Sequence, residues 1–303
     1  MDTRSKIILI SGPTASGKSK FAIKLAKKIN GEIINADSMQ VYKQFYILTA
    51  RPKLDDKKNI KHHLYGFQDV KKKFSTGKWL NLVVKKIKVI KKKNKIPILV
   101  GGTGLYFKSL TDGLVKIPTI SIKNRNKIRS LQKNVGQKKF YKMLINLDPY
   151  AKTKINDNDI QRSIRAYEIK KFTKLSITEW FKNTKSLFKE DNFLKIYIDF
   201  PRQDLLDKIK KRIDKMFKEG VILEVKRFNK LNLKKEHSVN KVIGVEEIRK
   251  YLNGDWNLDQ VKEGILIKTR QYAKRQTTWA RGQMTSWQKI HHKDIVSALK
   301  KFK

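Results

Sequence analysis

Eight consecutive residues carry the strongest chemical signal in this chain: Gly12-Pro13-Thr14-Ala15-Ser16-Gly17-Lys18-Ser19. Glycines at this spacing let backbone N–H groups turn inward onto phosphate oxygens, a lysine in this place adds a point charge, and the hydroxyl that follows can take Mg²⁺. Gly12, Thr14, Ala15, Ser16, Gly17, Lys18 and Ser19 are therefore the expected diphosphate-binding residues, with Ser19 as the protein's ligand to Mg²⁺. An enzyme that hydrolyses ATP would also want a strand ending in Asp to hold the metal and place water. The apolar run 96–100 ends instead in Gly101-Gly102, which points to a bound diphosphate used for something other than cleaving its γ bond. Asp37, after the run 32–36, could hold the metal in its place, so a kinase of a small metabolite with ATP in the loop stays open at this point, as does an RNA-binding protein without catalysis.

These groups need a scaffold to bring them together. An apolar run at 6–10 leads into the glycine loop, and Phe21, Leu25 and Ile29 then recur at helical spacing. Further strands are expected at 32–36 and 96–100, with a helix at 78–93 between them. Strands alternating with helices imply a parallel sheet, and such sheets collect ligands at the carboxyl ends of their strands. Gly12, Asp37 and Thr103 should thus face one crevice. From 121 to 185 the periodicity is helical throughout. A strand returns at 194–200, with helices from there to the C-terminus. The last long helix begins near Asn257, with Gln260 as a capping partner. The expected fold is α/β: a P-loop NTPase-like, nucleotide-kinase-like parallel sheet core (1–118 and 190–303) with a helical insertion domain (119–189).

The chain has 303 residues, 71 of them Lys or Arg and none Cys, and a formal charge of +44. That excess suits a polyanionic partner, because basic side chains release counterions from phosphates. Lysine runs such as 91–95 also read as the solvated face of a helix in a chain rich in Lys, Ile and Asn throughout. The missing cysteines exclude disulfides, thiolate catalysis and cysteine-bound zinc. No run of eighteen apolar residues occurs, and 1–6 is too polar for a secretory signal, so the reading is a cytoplasmic, membrane-free protein.

Five segments in order, Gly-Pro-Thr-Ala-Ser-Gly-Lys-Ser (12–19), Asp-Ser-Met-Gln-Val-Tyr (37–42), Thr-Ala-Arg-Pro (49–52), His-His-Leu (62–64) and Gly-Gly-Thr-Gly-Leu-Tyr (101–106), resemble the successive signatures of tRNA dimethylallyltransferases. Asp159-Ile-Gln-Arg-Ser-Ile-Arg-Ala-Tyr-Glu168 and Thr269-Arg-Gln-Tyr-Ala-Lys-Arg-Gln-Thr-Thr-Trp279 resemble the family's later motifs. The resemblance implies transfer of a dimethylallyl group from dimethylallyl diphosphate to N6 of the adenosine 3′ to the anticodon, in tRNAs reading codons that begin with U. It implies Asp37 as general base and Thr103 as a residue at the reacting centre. For tRNA contact it points to Asp37, Ser38, Met39, Gln40, Thr103, Arg125, Gln161, Arg162, Ser163, Ile164, Arg165, Lys274, Arg275, Gln276 and Arg281. Mg²⁺ is the expected cofactor and the tRNA anticodon stem-loop the expected partner, and the chain is expected to act as a monomer. An exocyclic amine is a poor nucleophile unless its proton is removed as the new bond forms, which suits a carboxylate at Asp37.

Helical spacing adds an independent test. Val261, Ile265, Tyr272 and Trp279 fall on one side of the last long helix as a core seam, while Arg270, Lys274 and Arg281 fall on the other. Ile160, Ile164 and Tyr167 form an apolar stripe backed by Arg162 and Arg165. Adjacent His62 and His63 point apart and read as structural rather than as a metal pair. Trp180, Trp256, Trp279 and Trp287 read as core or interface anchors. Two places depart from the family pattern: Arg51 stands for the usual Lys, and Val245-Glu246 stands for Tyr followed by a base.

Overall fold

The computed structural model describes residues 3, 5–53, 60–182, 184–234 and 237–302. In chain order its elements are β1 (Ile7–Ser11), α1 (Lys18–Lys28), β2 (Gly31–Asn35), β3 (His62–His63), α2 (Thr76–Lys91), β4 (Ile96–Gly101) and α3 (Gly104–Thr111). The helices α4 (Ile122–Leu147), α5 (Ile160–Thr173) and α6 (Ile177–Lys182) follow. Then come β5 (Phe193–Asp199), α7 (Arg202–Lys218), α8 (Val221–Asn229), α9 (Val245–Leu252), α10 (Leu258–Gln283), β6 (Gln288–His291) and α11 (Ile295–Lys300).

The strands form one six-stranded sheet in the order β3-β2-β4-β1-β5-β6, and every pairing is parallel. Both faces are covered, so β1 reads as a continuous apolar run rather than an alternating one. Ile7 and Leu9 face a cluster with Trp79, Val83 and Ile87 of α2 and Phe107 of α3. Ile8 and Ile10 face another with Phe21, Ala22 and Leu25 of α1 and Phe302 at the C-terminus. A third cluster joins α7, α8, α9 and α10 to the segment 41–48. Each large apolar side chain buried this way contributes roughly 1.5–3 kcal/mol.

Two short strands escape periodicity. β3 has two residues, and in β6 Ile290 alone is buried, so neither builds an apolar pattern; the helices expected from 201 to the C-terminus are broken by β6 before the chain ends. Asn257 and Gln260 do form the reciprocal cap of α10: each side chain accepts from the other's backbone N–H, at 2.9 and 2.8 Å.

The chain divides into two compact units, 1–111 with 188–303, and 112–187. The two ends of the second unit lie against each other: a Cβ on Gly113 would come within 2.4 Å of the Lys185 carbonyl oxygen. The second unit packs α4 and α5 around Ile128, Phe140, Leu144, Ile164 and Tyr167, and α4 bends at Gly136, whose φ is +74°. Among the described residues no helix is long and apolar enough to cross a membrane.

Candidate active site

The carboxyl ends of β1, β2 and β4 meet in one crevice, as a parallel sheet requires of its ligand face. After β1 the chain makes the glycine loop. Ala15 and Gly17 take positive φ (+63° and +85°), the conformation that turns successive N–H groups into a concave anion cradle at the start of α1. Gly12 has no room for a side chain: a Cβ there would lie 2.9 Å from both the Ile198 carbonyl oxygen and Ser16 Oγ.

After β2 the turn is set by Asn35, which is fully buried. Its amide nitrogen donates to the carbonyls of Asp37 and Leu64 (2.9 and 3.0 Å), and its side-chain oxygen accepts from the Asp37 N–H at 2.9 Å. Asp37 leaves this turn with Oδ1 accepting from the N–H of Met39 (2.8 Å) and, at 3.3 Å, Gln40. After β4, the Thr103 hydroxyl accepts from the Ser38 N–H at 2.9 Å, and the Thr103 N–H donates to the Ala36 carbonyl at 3.2 Å. A Cβ on Gly101 would fall 2.1 Å from the Ala36 backbone, so glycine is what lets the two strand tips touch.

Asp37 and the phosphate loop share one cavity of about 650 Å³. Its walls include Thr14, Ala15, Gly17, Lys18 and Ser19 of the loop, Asp37 to Gln40 beyond β2, and Arg212, Tyr272 and Arg275 from the C-terminal helices. Leu48, Val242, Ile243 and Ile265 give it an apolar wall. The electrostatics are tightly coupled. Burial lowers Lys18 to about 8, Asp37 opposes the drop and Arg212 adds to it. Burial likewise lowers Arg212, again opposed by Asp37. A carboxylate and two desolvated cations therefore sit in one half-enclosed space built to receive an anion.

The fold and this crevice can be set beside known proteins. A family model described as IPP transferase matches residues 40–283. A curated tRNA dimethylallyltransferase of Pelagibacter ubique (strain HTCC1062) is 61% identical over 303 residues, all of this chain and 97% of that protein. The chain belongs to the tRNA dimethylallyltransferase family. A second member, from Rickettsia massiliae (strain Mtu5), is 45% identical over 93% of this chain and 78% of its own length. Among solved structures, a eukaryotic dimethylallyltransferase acting on tRNA superposes with a TM-score of 0.81 at 29% identity, over 95% of this chain and 74% of that one.

In this dimethylallyltransferase fold the residues expected from sequence separate into groups. Thr14, Ala15, Gly17, Lys18 and Ser19 line the cavity, while Gly12 and Ser16 are buried beneath it. Ser38, Met39 and Gln40 line it too, and the Gln40 amide also holds the Thr49 carbonyl at 2.8 Å. The Thr103 hydroxyl accepts from the Ser38 N–H and so steadies the Asp37 turn. Gln161, Arg162, Lys274, Arg275 and Arg281 are exposed. Ser163 and Ile164, expected at the tRNA, are instead buried in the second unit, whereas Ile160 of the expected apolar stripe is 41% exposed. Arg125 and Arg165 both lie on buried Glu168, at 3.3 and 3.2 Å.

Two further corrections fall on α10. Tyr272 belongs to the cavity wall rather than to the core seam, and burial raises its hydroxyl above the ordinary range. Gln276 turns inward: its Oε1 accepts from the Thr14 N–H at 2.8 Å and its Nε2 donates to the Gly102 carbonyl at 2.9 Å. Val245 is buried and Glu246 pairs with Lys268 at 2.7 Å, so that departure from the family pattern is absorbed by the protein itself. Arg51 donates to the Lys43 carbonyl at 3.1 Å and lies over the Tyr46 ring. Sequence reasoning missed Arg212, whose Nη1 donates to Thr14 Oγ1 at 2.9 Å, and Asn35. The strand-end position of Asn35, two residues before Asp37, was the available signal for it; for Arg212 there was none.

Proposed function

We propose that this chain transfers a dimethylallyl group from dimethylallyl diphosphate to N6 of the adenosine 3′ to the anticodon, in tRNAs reading codons that begin with U, and releases diphosphate. One observation carries the reading: the Asp37 carboxylate and the Lys18–Ser19 cradle line a single cavity. In the reaction the bond between C1 of the isoprenoid and the diphosphate oxygen breaks, and the bond from C1 to N6 forms. The departing diphosphate keeps the electron pair, and the N6 proton passes to Asp37. Lys18, Arg212 and the N–H groups of the loop receive the charge that develops on the leaving group.

Ser19 offers a hard oxygen donor on the cavity wall, which suits Mg²⁺ held mainly by the diphosphate's own oxygens. Bound there, Mg²⁺ would neutralise part of the leaving-group charge. Among the described residues no group of three or more His, Cys, Asp or Glu could hold a metal, which fits an ion that arrives with its substrate. The target base leaves its stack to reach Asp37, as substrates of other base-modifying enzymes do. Ser38 to Gln40 meet it inside the cavity, and the exposed Gln161, Arg162, Lys274, Arg275 and Arg281 supply backbone contacts. The protein acts as a cytoplasmic monomer.

The test mixes protein, Mg²⁺, donor diphosphate and tRNA transcripts, then digests the RNA and weighs the nucleosides. A gain of one isoprenoid unit on adenosine is expected. Transfer of labelled phosphate from ATP without any RNA would instead identify a kinase and end this reading.

A further inference from the structure

Three residues on one face of α10 meet three consecutive residues after β4. The Tyr272 hydroxyl lies close to the Thr103 and Gln276 side chains. Gln276, one turn on, donates to the Gly102 carbonyl at 2.9 Å. Trp279 lies so close to Gly104 that a Cβ there would sit 2.3 Å from its ring. Positions 272, 276 and 279 share a helix face because spacings of four and three bring side chains into line. Gln276 is the member that also reaches across the crevice, since its Oε1 accepts from the Thr14 N–H at 2.8 Å.

The carboxamide suits this double duty. Glutamine offers an acceptor and donors on one rigid plane, so a single side chain can hold an N–H on one loop and a carbonyl on the other. The loop after β1 carries the anion cradle, and the loop after β4 carries Thr103, which steadies the Asp37 turn. Lys274 and Arg281 stand exposed on the same helix.

We propose that Gln276 is a positioning residue, whose carboxamide sets the diphosphate cradle in register with the Asp37–Thr103 side of the crevice. This rests on the function proposed above, and it deepens that reading by assigning the strap that aligns leaving group and base. Diphosphate loss and proton removal occur at opposite sides of the reacting carbon, so a small slip between the two loops costs rate without touching the tRNA surface.

Gln276→Met keeps the volume and removes both hydrogen bonds. The expected result is a fall of about 10- to 100-fold in kcat/KM for the donor. Binding of inorganic pyrophosphate with Mg²⁺, read by calorimetry, should weaken as well. The tRNA Kd from filter binding should stay at its wild-type value. Gln276→Glu, which sets a second acceptor against the Gly102 carbonyl, should give the same split and serves if the methionine variant misfolds. Wild-type donor kinetics and pyrophosphate affinity in both variants would overturn the proposal. So would a loss of tRNA affinity with donor parameters intact, which would return Gln276 to the RNA surface. If the wild-type protein transfers no isoprenoid, the function reading fails by itself, and the pyrophosphate arm still decides the role of Gln276.

Discussion

One strand, β2, carries a carboxylate near each end, and the two have opposite fates. Glu32, near the amino end, is 2% exposed and fully engaged: His63 Nε2 lies 2.6 Å from one oxygen and Lys95 Nζ 3.3 Å from the other. Burial pushes Glu32 up, but the hydrogen bonds from His63 and Lys95 outweigh it and leave the group below its ordinary range. Asp37, beyond the carboxyl end, is held by backbone N–H groups through Oδ1 and opens onto the cavity that Lys18 and Arg212 share. The same side-chain chemistry thus serves the fold where its partners come from neighbouring strands. It serves a reaction where its partners are cations waiting for an anion. Partner identity, more than burial, separates the two roles.

Exchanging the two carboxylates for neutral groups is the most direct way to break that comparison. Asp37→Asn should lower the rate of isoprenoid transfer by about 10²- to 10⁴-fold, the usual worth of a general base, while tRNA affinity holds. Single-turnover assays with filter binding read both numbers; a variant that transfers at the wild-type rate would remove Asp37 from the chemistry. Glu32→Ala should do the reverse. It strands a buried His63 N–H, at a cost of about 1–3 kcal/mol in unfolding free energy, and leaves the transfer rate per folded molecule unchanged. Urea titration beside the same assay separates the two effects.

The same physics decides which parts of the site are legible in the amino-acid sequence. The glycine loop, the strands at both of its neighbours and Asp37 were legible, because a phosphate cradle needs particular residue types at fixed spacing and buried parallel strands are continuous apolar runs. Arg212 was not legible. It is one basic residue among 71, on a helix whose other cations are exposed among the described residues, and nothing local marks the one whose guanidinium turns onto Thr14. Tyr272 was found but misplaced, since a helical wheel ranks residues by polarity and cannot show that an aromatic on the core side of a helix lines a cavity. Ser163, Ile164 and Gln276 came instead with the family's tRNA-contact motifs, and a motif copied as a block carries its inward members along with its exposed ones.

A pH titration sharpens the contrast with the smallest perturbation, because the two ends of β2 should fail at opposite extremes. At the carboxyl end, Lys18 must be protonated to greet the diphosphate, and burial has brought it down to about 8. Above that pH, kcat/KM for the donor should fall by about tenfold per unit, as a single essential acid requires. At the amino end, burial lowers His63 below its ordinary value, with Glu32 opposing. Its folded-state value therefore lies beneath the unfolded one, about 6.5. As pH falls through that value, the unfolded chain takes up a proton that the native chain refuses, so stability drops until the folded value is passed and then levels off. Urea midpoints should therefore decline on mild acidification in the wild type, and this part of the slope should vanish in His63→Gln, while the alkaline limb of the donor profile is the same in both proteins. An acid slope untouched by His63→Gln would mean that the amino end of the strand does not hold its pair as a fold-supporting contact, and the division of labour along β2 would have to be redrawn.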